Sequence, residues 1–274
     1  MAVRTFYWET APEQPRRRFS RRVPEPSPSG WRYGNVGDIF NRDLVRHLYG
    51  EEPLTTDDAG RRVLLVGSTV HRMRDGDIIA GVGTKGSPQP TAAEASARIW
   101  GARGPFTVDL LREAGHDVSD IRFLLDPGLL IARVHPELAR IRPKRGRTVF
   151  VPHYRERERF ADTADYRVID VDQTPLEFAK QIARAETVYS SSLHGIVFAH
   201  ALGRPAALVA PMTAEPELKY RDYAASVGET WRTPGDLAET MRGAAPRVPA
   251  AVPGLIDSAV FPTRADLSEA GAIV

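Results

Sequence analysis

Short runs of β-branched and other apolar residues alternate along the chain with longer amphipathic stretches, in which apolar positions recur three and four residues apart. The short runs predict strands and the longer stretches helices. Their alternation predicts βα units and mostly parallel sheets. VRTFYW opens as a strand, and residues 10–30, with five prolines and five arginines, read as an irregular loop. From Asp38 to Tyr49 the residues Phe40, Leu44, Val45 and Leu48 share one helical face, and Gly50 follows as a C-cap. RVLLVGS, DIIAGVG and ARIWGA read as buried strands. Pro105 suits the first turn of a helix that carries Phe106, Leu110, Leu111 and Ala114 and stops at Gly115. RFLLD closes this half as a strand.

Residues 132–147 are basic, hold two prolines and a glycine, and read as a link. Alternation then resumes with TVFVPH, YRVIDVD, a helix, TVYS, a helix and AALVAP. The first of these helices starts at Thr174-Pro175-Leu176-Glu177, the pattern of a capping box with proline at the first helical position. Thr233-Pro234-Gly235-Asp236 is a weaker version of the same signal, and residues 244–274 read as a packed or frayed tail. The expected organisation is two α/β halves, residues 1–140 and 141–274, each Rossmann-like.

Composition narrows the functional classes. The chain has 274 residues, 26% charged and 42% hydrophobic, which is an ordinary globular balance. A formal charge of only +2 argues against a dedicated nucleic-acid binder. There is no cysteine, so thiol nucleophiles, iron–sulfur clusters and cysteine zinc sites are excluded. The seven histidines show no HExxH or other metal-like spacing, and no metal or cofactor is expected. No apolar signal region and no membrane-length apolar stretch is read, which places the expected protein in the cytoplasm.

Two further local signals are less specific. Gly81-Val82-Gly83-Thr84-Lys85-Gly86 fits GxGxxG after a strand, but Ser87-Pro88-Gln89-Pro90 follows where a dinucleotide-binding helix must open. The basic run Arg16, Arg17, Arg18, Arg21 and Arg22 reads either as a solvated loop or as a peripheral contact to an anionic glycan, lipid headgroup or nucleic acid.

Three strand-to-helix junctions carry the chemistry. Asn35-Val36-Gly37-Asp38 and Arg103-Gly104-Pro105 lie in the first half, and Ser190-Ser191-Ser192-Leu193-His194-Gly195 in the second. Carboxyl ends of strands are where α/β folds expose functional groups, and a helix N-terminus beside an arginine or a serine/histidine loop favours an anion. If the halves face one another, the anion sits between them.

In this order and spacing the chain resembles the polysaccharide pyruvyl transferase family, particularly its short exopolysaccharide-type members. The resemblance runs over about residues 33–229: NVGDIFN, VLLVGSTVH, IIAGVGT, ARGPFTVDLL, LLDPGLL, VPHY, SSSLHGIVFAHALGRPAALV and KYRDYAASVG. The loop at 10–30 reads as an insertion, and Ala80-Gly81 stands where the family has tryptophan-glycine.

The resemblance implies a GT-B-like fold and transfer of the pyruvyl group of phosphoenolpyruvate onto two hydroxyls of a sugar in a glycan, glycolipid or glycoside. The products are a cyclic pyruvate ketal and phosphate. Phosphoenolpyruvate is then the donor substrate rather than a cofactor. Arg103 and His194 are the implied contacts to it. His194 serves either as the acid that protonates the methylene carbon or as an electrostatic partner of the departing phosphate. Asp38 is read as a base for the acceptor hydroxyl or as a helix cap. Asn35, Gly37, Gly83, Gly104, Ser191, Ser192, Leu193 and Gly195 are the expected substrate-binding positions. Lys219 and Arg221 add positive charge, and His153 either lines the entrance or is structural. A GT-B glycosyltransferase using a nucleotide sugar and a non-catalytic anion-binding protein are the alternatives.

Overall fold

The computed structural model describes residues 1–9, 30–58, 60–243 and 245–274. Most of the arginine-rich loop, including Arg16 to Arg22, lies outside them.

Two parallel sheets divide the chain. The first holds β1 (Ala2–Thr5), β2 (Glu52–Thr55), β3 (Val63–Leu64), β4 (Ile78–Ala80), β5 (Arg98–Ala102) and β6 (Phe123–Leu124) in the order β2-β1-β3-β4-β5-β6. The second holds β7 (Thr148–Val151), β8 (Arg167–Val168), β9 (Thr187–Ser190) and β10 (Ala206–Leu208) in the order β10-β9-β7-β8. In both, the chain starts inside the sheet, steps one way and then reverses. The reversals fall between β1 and β3 and between β7 and β9, and such switch points open crevices at the carboxyl ends of strands.

The helices are α1 (Val36–Tyr49), α2 (Pro105–Glu113), α3 (Ile131–Val134), α4 (Pro175–Ala183), α5 (Leu193–Ala201), α6 (Leu218–Ser226), α7 (Leu237–Gly243), α8 (Val252–Ser258) and α9 (Arg264–Glu269). Gly50 caps α1 at φ 68°, in the left-handed region where glycine carries no Cβ penalty. Helix α5 is buried from Leu193 through His200 on all sides, which explains a sequence without a polar stripe. The largest core cluster runs through both sheets. Phe40 of α1 meets Phe198 of α5 edge to face at 5.3 Å, and Phe198 meets Phe178 of α4 at 5.8 Å.

Several local expectations are corrected. The link at 132–147 is partly helical: α3 precedes a 3-10 turn at Pro136–Arg140, anchored by buried Leu138. At α4 only half of the capping box forms. Thr174 accepts the Glu177 N–H, while the Glu177 carboxylate pairs with Lys180. For α7 the reciprocal cap is Asp236 with Glu239, not Thr233. The segment after 244 is packed. Its helices α8 and α9 lead to residues 272–274, which return to β1: Arg4 N donates to Ala272 O and Val274 N to Ala2 O, at 2.8 and 2.9 Å.

The halves also meet through α6, which lies against the start of α2. A Cβ on Gly104 would stand 2.1 Å from the Asp222 carbonyl oxygen, so only glycine admits this approach. Gly104→Ala is therefore expected to destabilise the protein by about 1–3 kcal/mol, as overpacking does. Urea unfolding monitored by circular dichroism checks this, and an unchanged midpoint would refute it.

Candidate functional site

The junction after β1 is built partly by the second half. Asp172, in the turn after β8, accepts the backbone N–H groups of Arg32, Tyr33 and Gly34, and Val36 N donates to Val171 O at 3.0 Å. This fixes the entry to α1. Asn35 does not cap that helix; its amide donates to Asp38 Oδ2 at 2.8 Å. One turn on, buried Asn41 accepts the Val66 N–H and donates to the carbonyls of Asp38 and Val66, tying α1 to the chain just beyond β3.

The junction after β9 is equally determined. The Ser190 hydroxyl accepts the Ser192 N–H at 3.0 Å and lies 3.0 Å from Val151 O, which folds the turn back onto β7. Ser191 Oγ accepts the His153 N–H at 2.8 Å and donates to Glu156 Oε1 at 2.6 Å. The first turn of α5 then projects His194 against Gly37 of α1. A Cβ on Gly37 would stand 1.9 Å from His194 Nδ1, so the glycine makes room for the imidazole rather than for a ligand.

Between these junctions lies a cavity of about 350 Å³. Asn35 and Asp38 line it from α1, and Gly67, Ser68 and Thr69 from the chain after β3. Ser192, Leu193 and His194 line it from α5, and His153, Glu215 and Lys219 from the rest of the second half. Lys85 reaches it from the glycine-rich turn. Trp8, Trp31, Tyr154 and Arg155 form its aromatic and basic edge. Trp8 is 43% exposed, and the Arg157 guanidinium lies 4.6 Å from the Trp31 ring centre.

Burial dominates the titration of these groups. It pushes the Asp38 carboxyl up to about 6, against the Asn35 hydrogen bond and the charges of Lys219 and Lys85. It pulls Lys219 down to about 8, although Glu215 Oε1 holds the ammonium at 2.6 Å. It pulls His153 down to about 4, with Lys219 beside it at 3.5 Å from Nε2. His194 is also lowered, first by burial; Asp126 opposes this, and Arg103 and Lys219 add to it. For Glu215 burial raises the carboxyl, but the charge and hydrogen bond of Lys219 win and hold it below its ordinary value. Within one cavity, burial thus shifts one acid, Asp38, and three bases, Lys219, His153 and His194, towards their neutral forms.

Residues 34–211 match the family described as polysaccharide pyruvyl transferase. The chain belongs to that family. It is also 29% identical over 208 residues to an uncharacterized protein of Acanthamoeba polyphaga mimivirus, across 71% of each chain. No solved structure matches it.

The family's motifs divide into a cavity wall and the frame behind it. Asn35, Asp38, His153, Ser192, Leu193, His194 and Lys219 are on the wall. Arg103 is not. Its side chain is 1% exposed, with Nε donating to Asp222 Oδ2 at 3.1 Å, Nη1 to Ser68 Oγ at 2.8 Å and Nη2 to the Thr84 carbonyl. It stands one layer behind Ser68. Gly83 leaves space for that guanidinium, whose Cζ would lie 2.2 Å from an added Cβ. Gly104 admits α6, and Gly195 admits the Ser190 hydroxyl, 2.2 Å from an added Cβ. The Ser191 hydroxyl is occupied in joining the His153 backbone N–H to the Glu156 carboxylate. Arg221 is on the outer face of α6, 5.6 Å from the Phe106 ring centre.

Two consequences are measurable. Arg103→Ala would leave the fully buried Asp222 carboxylate without its cation, a change expected to cost about 3–5 kcal/mol. Chemical denaturation measures this, and a loss below about 1 kcal/mol would show that the pair is not structural. The second concerns acid. His153 and His200 both fall to about 4 in the fold. The unfolded chain therefore binds more protons from about pH 6.5 down to 4, and stability should fall as pH drops through that window. Asp38, raised to about 6, works in the opposite sense but is one group against two. His200→Gln is expected to flatten the slope of unfolding free energy against pH, and an unaltered slope would contradict the assignment.

Proposed function

We propose that this pyruvyl transferase carries the enolpyruvyl skeleton of phosphoenolpyruvate onto two hydroxyls of one sugar, in a glycan, glycolipid or glycoside, within the cytoplasm. The products are a cyclic ketal and inorganic phosphate. One hydroxyl proton ends on the methylene carbon, which becomes a methyl group, and the other on phosphate. The observation that carries this reading is the convergence, in one cavity, of Lys85, Lys219 and the first turn of α5 with Asp38 and His194. A carboxylate and a phosphate held close together need such a cluster of cations and free backbone N–H groups. Lys85 has no ion-pair partner among the described residues.

The roles follow from position. Burial first, and then the charges of Arg103 and Lys219, disfavour the protonated His194 ring; an anionic donor at the mouth of α5 opposes them, so the imidazole takes up a proton on binding and can hand it to the methylene carbon. Asp38, ionised at neutral pH yet only just, is suited to receive the hydroxyl proton of the acceptor. The flat faces of Trp8, Trp31 and Tyr154 at the edge suit the C–H face of a sugar ring. We read the two parallel sheets as a GT-B-like pair, with residues 1–140 and 141–274 as its domains. Arg103 acts in this reading by holding Ser68 and α6 in place.

Titration calorimetry with phosphoenolpyruvate tests the donor without knowledge of the acceptor, using UDP, a UDP-sugar and phosphate as controls. Selective binding of phosphoenolpyruvate is expected, weakened about 10-fold or more in Lys85→Met, since a charge-assisted contact is worth about 1.5–3 kcal/mol. Ligand at 100 times its dissociation constant should also stabilise the fold by about 2.7 kcal/mol. Preferential binding of UDP would replace this reading with nucleotide-sugar transfer.

A further inference from the structure

Behind His194, on the side away from the cavity edge, stands a carboxylate for which the reaction so far has no use. Asp126 ends the segment after β6 and is 1% exposed. Its Oδ1 accepts the Gly128 N–H at 2.8 Å, which starts the 3-10 turn at Pro127–Leu130. The same oxygen is 3.9 Å from His194 Nε2. Oδ2 of Asp126 and Nε2 of His194 are both buried without a hydrogen-bond partner. A folded protein rarely leaves an acceptor and a ring nitrogen unsatisfied side by side, because each is costly when buried alone. Here the carboxylate and the ring nitrogen approach to 3.9 Å through Oδ1, about 1 Å more than a hydrogen bond, and a small turn of the ring or the carboxylate would close the gap.

We propose that Asp126 is the positioning residue of His194: when the imidazole is protonated, Nε2–H turns to Asp126, which holds the ring so that its other nitrogen serves the substrate. The inference rests on the reading of the cavity as an anion-binding, proton-transferring site. The surroundings leave Asp126 as the group that favours the charged ring. Arg103 at the end of β5 and Lys219 of α6 both oppose protonation of His194, whereas Asp126 supports it. Gly37 of α1 packs on the ring and brings no charge, although Asp38 beside it lines the same cavity. Phe198 meets the ring edge to face at 6.1 Å and limits its rotation. Tyr223 also faces Asp126, but its hydroxyl is engaged with His200 Nδ1 at 2.9 Å and is held well above its ordinary titration range, first by burial. A carboxylate that orients an imidazole and favours one tautomer is a general device for making a histidine an effective proton carrier.

Asp126→Asn tests this directly. It keeps the shape and the oxygen that accepts the Gly128 N–H, and removes only the charge. The titration of His194 is followed by nitrogen-15 NMR in the ligand-free protein, with the signal assigned through His194→Gln. We expect the His194 pKa to fall by about one unit in Asp126→Asn, as loss of a nearby opposite charge requires, while the other histidines keep theirs. The pH dependence of phosphoenolpyruvate affinity should shift by the same amount. An unchanged His194 pKa would overturn the proposal. Asp126→Ser, which also retains a cap for Gly128, gives the same readout if the asparagine variant does not fold. Absence of phosphoenolpyruvate binding in the wild type would instead refute the donor assignment, since the ligand-free titration stands apart from it.

Discussion

The ion pair between Arg103 and Asp222 is the constraint on which the rest depends. A carboxylate with no exposure must have its charge answered, and here the answer comes from the other half of the chain. Arg103 Nε and the N–H and hydroxyl of Thr107 all point at it from the first half, at 3.1, 3.0 and 2.6 Å. The same guanidinium reaches Ser68 and the Thr84 carbonyl, and Lys219 is one turn before Asp222 on α6. Groups on three sides of the cavity therefore take their positions from one buried charge. The attraction itself contributes little net stability after desolvation; what it supplies is the cost of every other arrangement.

Much of this architecture is legible in the sequence because the responsible forces are local. Periodic apolar residues and Gly50 bound α1, and Pro105 and Thr174 mark helix starts by backbone chemistry that tertiary contacts do not override. The strands are found in place, β9 over the whole of TVYS, but several are shorter than their apolar runs. After Leu64 the run stays buried, yet the backbone leaves the ladder and the Asn41 side chain satisfies Val66 instead. Strand β2 escapes notice because Pro53 argues against a strand, and proline is tolerated there because β2 is the sheet's edge. Helix α6 lacks the usual contrast of faces: it buries Lys219 and Asp222 beside Tyr220 and Tyr223.

The site was legible to the depth of one layer. Residues that follow strand ends were identified, since topology alone sends them to the switch points. Spacing does not say which of them face inward, however. Arg103 and Gly104 occupy a strand end and still serve the frame, because the neighbour that claims them, Asp222, is more than a hundred residues away in sequence. Trp8, Trp31 and Glu215 join the cavity through long-range packing and carry no local signature. Lys85 does carry one: it sits in the glycine-rich turn, and that turn faces the cavity.

The pairing of residues 272–274 with β1 has a consequence for the order of events in folding. Strand β3 meets β1 at Thr5 alone, and the strip beside Ala2 and Arg4 is filled from the far end of the sequence. On the ribosome, the first sheet therefore cannot complete its central pairing when residue 124 emerges. It must wait for about 150 further residues, on the order of 10–30 s at ordinary elongation rates. Through that interval β1 presents a partly open edge, the kind of surface that recruits stray strands. Holding that edge closed is work for a chaperone, or for the second half as it forms.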